Sequence, residues 1–184
     1  APGTYGYMSG QWLFPRAIPE AGKAFLGWYE NGELIHDFTV YPFQVTSDRN
    51  IEARFGEPDY LVTLNIVGNG YTDLAPGIYG YKEGQWFVCT AQPDLNYALQ
   101  YWEVKKLDEE GNVVSTEYRY DLTLALQATS DYEVNVVFAM CDWNVNISMA
   151  GTGTGNITPS TGAYCFLDGK ELGLSAETTE GNYF

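Results

Sequence analysis

The chain reads as an all-β protein, built as a tandem repeat array of small modules with antiparallel and mixed sheets. Three observations predict this. Apolar residues alternate with polar ones at a period of two, Gly and Asn cluster between the alternating runs, and an aromatic-rich motif occurs twice at a fixed spacing.

The motif opens the sequence. Pro2-Gly-Thr-Tyr-Gly-Tyr-Met-Ser-Gly-Gln-Trp12 aligns with Pro76-Gly-Ile-Tyr-Gly-Tyr-Lys-Glu-Gly-Gln-Trp86 at an offset of 74, with eight of eleven positions identical. The same offset carries residues 19–28 onto 93–102, so Trp28 and Trp102 are equivalent. Further on, Thr46-Ser-Asp48 and Ala53-Arg-Phe55 match Thr129-Ser-Asp131 and Val136-Val-Phe138 at an offset of 83, so the second copy has gained nine residues. Those nine fall in 105–113, where Glu-Gly-Asn signals a turn between strand-like stretches, and a lengthened hairpin is expected there. A third copy starts at Trp143, whose 143–153 segment matches 60–70 by alternation and terminal glycines, and Asn182-Tyr183 echoes Asn96-Tyr97. The expected modules are therefore 1–58, without an opening strand, 59–141, complete, and 142–184, partial. On this reading the ends of the sequence cut through modules, either because the chain is part of a longer array or because neighbouring molecules complete each other.

Within the middle copy, strands are predicted where Val62, Leu64 and Ile66, then Phe87, Cys89 and Ala91, then Val134, Val136 and Phe138 alternate with outward-facing neighbours. The nearest helical candidates, 19–23 and 122–129, amount to no more than short helical turns.

Composition narrows the function. Nine Lys plus Arg against 24 Asp plus Glu give a net charge of −15, which opposes binding to nucleic acid or to anionic membranes. No run reaches the roughly 18 apolar residues of a membrane span, so no direct membrane insertion is expected. Three cysteines, Cys89, Cys141 and Cys165, lack paired zinc spacing. They read as small buried hydrophobes or as one disulfide plus a thiol, with the pair left open. His36 is the only imidazole, and its counterpart is Arg119, which places it at an exposed strand position. Asp108-Glu-Glu110 reads as a solvated loop tip, and neither it nor Asp168-Gly169 supplies a calcium-loop ligand series. The Gly-rich 151–155 stretch lacks the Lys and the helix of a phosphate loop. The sequence therefore predicts no catalytic residue, no cofactor and no metal.

The aromatic residues divide by recurrence. Trp12 with Trp86, Trp28 with Trp102, and Phe55 with Phe138 recur in register and are expected in the core. Tyr5, Tyr7, Tyr79 and Tyr81 are expected to cap it. Tyr101, Tyr118 and Tyr120 are the candidates for an exposed ligand or partner surface, because the first copy has Gly27 opposite Tyr101.

Gly22-Lys-Ala-Phe-Leu-Gly-Trp-Tyr-Glu-Asn-Gly32, followed by Phe38-Thr and by Thr46-Ser-Asp-Arg-Asn-Ile-Glu-Ala-Arg-Phe55, resembles the internalin B-repeat, or Listeria-Bacteroides repeat, in a divergent form. The second copy departs from that pattern, with Gln100-Tyr101 at the place of Leu26-Gly27 and a Val-Val-Phe close. The resemblance implies β-grasp-like modules of a secreted or surface-anchored bacterial protein, acting as a structural spacer or adhesive module without enzymatic activity. The expected partners are other repeats of the same or neighbouring chains, and a host or bacterial surface protein or glycan. Two alternatives follow from the residues: a filament subunit joined by strand addition between partial repeats, and a carbohydrate-binding module using Tyr101, Tyr118 and Tyr120.

Overall fold

The computed structural model describes residues 3–151 and 155–178. Pro2, most of the Gly-rich 151–155 stretch and the Asn182-Tyr183 echo lie outside the described residues. Seventeen strands form, in the order β1 (Trp12–Leu13), β2 (Ala24–Glu30), β3 (Glu33–His36), β4 (Phe43–Gln44), β5 (Ile51–Gly56), β6 (Tyr60–Val67), β7 (Gly70–Thr72), β8 (Gly77–Tyr81), β9 (Trp86–Pro93), β10 (Tyr97–Leu107), β11 (Val113–Arg119), β12 (Thr123–Gln127), β13 (Asp131–Met140), β14 (Trp143–Ile147), β15 (Gly155–Thr158), β16 (Gly162–Phe166) and β17 (Ser175–Thr178). The protein is all-β, and no helix occurs among the described residues. The two short helical turns do not form: 122–129 holds β12, whose Leu124 faces the core, and 19–23 is a turn leading into β2.

The largest sheet runs β11-β10-β13-β6-β8-β2-β3, with β5 on β2. Its centre is a parallel ladder, Tyr132 to Val137 of β13 against Val62 to Val67 of β6, and β6 continues antiparallel into β8. A second sheet, β12-β9-β7, stands against it. The core lies between them: Val62, Leu64, Val134, Val136 and Trp102 from one side, Phe87, Cys89 and Leu124 from the other. Alternation explains both faces, because successive residues of a strand point to opposite sides. In β9 the inward residues are Phe87, Cys89 and Ala91.

Trp102 is 0% exposed, and its indole N–H donates to the Asp121 carbonyl at 2.9 Å. The buried donor is therefore satisfied, which removes the penalty of hiding a polar group. Trp28, 7% exposed, donates in the same way to the Phe38 carbonyl at 3.1 Å and packs with Phe25 and Ala17 in a smaller core carried by β2, β3 and β5. The turn between β2 and β3 uses Asn31 (φ 53°) and Gly32 (φ 85°), the left-handed pair that a tight hairpin requires. Toward the C-terminus, β14 pairs with β16 and β15 with β17.

Half of the expected aromatic core is corrected. Trp28, Trp102 and Phe138 are buried, but Trp12, Trp86 and Phe55 are exposed at 57%, 51% and 44%. Trp86 precedes the inward Phe87, so the pleat turns it outward, and Trp12 precedes Leu13 in the same sense. Phe55 has a different reason. The ring of Phe138 is covered where β7 follows the β6–β7 turn, since a Cβ on Gly70 would stand 2.7 Å from it; among the described residues no such turn covers Phe55.

Trp102→Ala is expected to cost about 3–5 kcal/mol by urea unfolding, as for a large buried aromatic. Trp86→Ala should stay within about 1 kcal/mol, as for an exposed residue.

Candidate functional site

Two regions gather the residues that a partner would meet: the outer face of the large sheet, and the places where successive parts of the chain abut. On the outer face, opposite the core, β10, β13 and β6 present a row of polar side chains. Asn65 Nδ2 donates to Asn135 Oδ1 at 3.0 Å, and Asn135 Nδ2 donates to Glu103 at 2.8 Å and to Glu133 at 3.0 Å. Lys105 Nζ lies 3.2 Å from Glu103 and 2.9 Å from Glu133. The Asn135 hydrogen bond, with Lys105, holds the Glu103 carboxyl below its ordinary range. Lys105 and then Asn135 do the same for Glu133, and both carboxylates raise Lys105. Groups so fully engaged with one another form a ladder across strands rather than an acid and a base.

Tyr101 and Tyr118 lie beside this row. Their rings are 5.1 Å apart at 81°, edge to face, and the Tyr118 hydroxyl reaches Glu103 at 3.5 Å. A sugar would meet one ring face and one edge there, not a shared flat platform. Tyr120 stands apart from that pair. Lys170 lies over its ring at 4.9 Å, and both line a groove of about 320 Å³ with Leu122 and Phe166.

The other candidates are occupied by local structure. His36 is half-buried, stacked on Tyr41 at 4.8 Å, with Nε2 3.0 Å from the Val40 carbonyl. Asp108 Oδ1 accepts the backbone N–H groups of Asn112 at 2.7 Å and Glu110 at 3.1 Å, so its carboxylate closes the β10–β11 turn. Those bonds, with Asn112 foremost, lower its pKa. Tyr79 and Tyr81 are half-buried and pack on Phe87, as the core caps expected, while Tyr5 and Tyr7 are exposed. Burial pushes the Cys89 thiol up to about 12, where it is an inert apolar group. No group of three or more His, Cys, Asp or Glu side chains is placed to hold a metal among the described residues. No helix of the described residues is long and apolar enough to cross a membrane.

The abutments are built by contacts between segments well separated in the sequence. Where β2 meets β8, Ala24 pairs with Gly80, a Cβ on Gly80 would stand 2.8 Å from the Lys23 backbone and 2.9 Å from Pro58, and Gln85 Nε2 donates to the Phe25 carbonyl at 2.9 Å. Lys23 pairs with Glu57, and Lys82 with Asp59. Where β10 meets β16, Cys141 and Cys165 form a disulfide with Cα atoms 5.6 Å apart, and Cys165 also contacts the Tyr97 carbonyl. Strand pairing sets Cys165 opposite Asn144 as it sets Gly80 opposite Leu61.

Comparisons with protein-family models, with curated proteins and with solved structures found no match.

Two outcomes are expected. Alkylation of the native chain should label no cysteine, since Cys89 is buried and the others are bonded; mild reduction should expose two sites, counted by mass spectrometry. The lowered carboxylates stabilise the fold above their ordinary pKa and lose that contribution as pH falls through their depressed values, whereas the raised Lys105 loses its contribution only as pH rises through its own. Protection factors for hydrogen exchange along β10 and β13, taken relative to the intrinsic exchange rate at each pH, should therefore fall below about pH 4 and hold steady around neutrality.

Proposed function

We propose that this chain is a non-enzymatic structural spacer or adhesive array of a bacterial cell-surface or secreted protein, made of β-grasp-like modules at 1–58, 59–141 and 142–184 and related to the internalin B-repeat. The observation that carries the reading is a coincidence of hydrogen bonds at constant offsets. Trp28 to Phe38 and Trp102 to Asp121 are the same bond shifted by 74 and 83 residues. Gln44 Nε2 to Gly10 and Gln127 Nε2 to Gly84 follow the same shifts, at 2.8 and 3.1 Å. A bulge interrupts β2 between Phe25 and Gly27 and β10 between Leu99 and Tyr101. Toward the C-terminus, the Tyr79 hydroxyl donates to Ala75 and the Tyr164 hydroxyl to Ser160.

The five strands β11-β10-β13-β6-β8, a mixed stretch of the large sheet, support the β-grasp-like part of the reading, with the β12-β9-β7 sheet standing where such a module would carry its cover. The abutments support the spacer role. Pro58 against Gly80 and Cys141 bonded to Cys165 occupy corresponding places, so each connector is clamped to the next module by backbone contact or by a covalent bond. A clamped connector transmits length and orientation, which a flexible linker does not. Acidic charge spread over the array keeps neighbouring arrays apart.

Pulling a single molecule by its two ends tests this. The middle module should unfold as a separate event, with a contour gain on the order of 280 Å for its 83 residues before subtracting its folded span. One event for the whole chain would reject the modular reading.

A further inference from the structure

We infer that the outer edge of β5 is an acceptor for β14 of a second copy of this chain. The inference rests on the modular reading above and takes the middle module as its template, where β6 lies between β13 and β8. The first module's counterparts of β13 and β8 are β5 and residues 3–7. Between them runs a groove of about 770 Å³, flanked by Thr4 and Tyr7 on one side and by Val45, Asp48 and Ile51 on the other. It lies where the template carries a strand. Among the described residues β5 pairs with β2 alone, so its other edge presents unpaired backbone groups.

Two side chains repeat the demand. In the template, Asp131 Oδ1 accepts the backbone N–H of Leu61 at 2.8 Å, which anchors the start of β6. Its counterpart Asp48 is exposed and has no such donor among the described residues. Phe138 is 4% exposed beneath the turn after β6, while its counterpart Phe55 is 44% exposed.

β14 carries the complementary surface. Among the described residues it pairs only with β16, leaving open the edge that β6 gives to β13. Val145 and Ile147 correspond to Val62 and Leu64, which are fully buried, yet both remain partly exposed. Residues 143–151 hold no charged side chain in a chain of net charge −15, so this stretch approaches another copy with the least repulsion. Transferring the β13–β6 register sets Ile51 opposite Ile147 and Glu52 opposite Ser148, brings Asn144 N–H to Asp48, and lays Gly151 on Phe55, as Gly68 lies on Phe138. Residues 3–7 belong to no strand, and docking of β14 together with its partner β16 requires them to move from the groove wall. Donor and acceptor edges sit at opposite ends of the chain, so the contact is head-to-tail and propagates into filaments.

The test mixes two full-length variants, Glu52→Cys and Ser148→Cys, under mild oxidation in about 1 M salt, where the screening length is about 3 Å. Neighbouring parallel strands put these Cα atoms within disulfide range, whereas Glu52→Cys with Asn146→Cys would be roughly 8 Å apart. The in-register pair should cross-link and the offset pair should not. Adding Asp48→Ala, an exposed change whose circular dichroism should match the parent, should weaken association by about tenfold in sedimentation. Equal cross-linking of both pairs, association indifferent to Asp48→Ala, or a monomer at high micromolar concentration would overturn the inference. The pulling experiment uses one tethered molecule with no second copy present, so the modular reading and this one fail separately.

Discussion

The parallel ladder between β6 and β13 is the constraint on which the rest depends. It joins residues 70 apart, as the Leu61 to Asp131 bond records, and it brings the start and the end of the 59–141 segment side by side. Once β6 is seated, Val62 and Leu64 close the core against Phe87 and Trp102, and β6 offers its other edge to β8. Nothing local holds β6 there. Its place is secured by the paired backbone, by the Asp131 anchor and by the apolar side chains of its inner face. Such non-local pairing closes late in folding, because the loop entropy must be met before its contacts form.

The same ladder explains why the two tryptophans differ in setting although their hydrogen bonds match. Trp102 is sealed by a complete set of strands, and Trp28 sits in a smaller core whose sheet stops at β5. The exposed Phe55 and the open edge of β5 lie together, beside a groove that Asp48 and Ile51 help to line. Open edges of this kind invite pairing, and the excess of negative charge restrains it. Association would then follow ionic strength more than concentration alone.

Successive parts of the chain meet through close backbone approach and through a covalent bond. Gly80 admits Lys23 and Pro58 because it lacks a side chain, and at the other abutment Cys141 and Cys165 fill the corresponding space with a bond. A glycine that accepts a neighbour's backbone and a disulfide that ties one are two solutions to the same geometric requirement. Both lie away from the outer sheet face, where Glu103, Lys105, Glu133 and Asn135 bond to one another and Tyr101 and Tyr118 add an aromatic margin.

The sequence by itself determined the strand faces. Period-two alternation placed Val62, Leu64, Phe87, Cys89, Val134 and Val136 inward, and the same alternation, followed strictly, turns Trp86 outward despite its recurrence. Recurrence alone could not separate Trp28 from Trp12, since a surface position repeats as readily as a buried one. Nor could it find β12 inside 122–129, where Leu124 and Leu126 sit two apart and only the pairing with β9 makes a strand. Tertiary structure decided what depends on distance in space. The Cys141–Cys165 pair, the perpendicular Tyr101 and Tyr118 with Tyr120 drawn to Lys170, and the groove beside β5 all arise from contacts between segments far apart in the chain. Periodicity reports which way a side chain points; only the assembled sheets report what it meets.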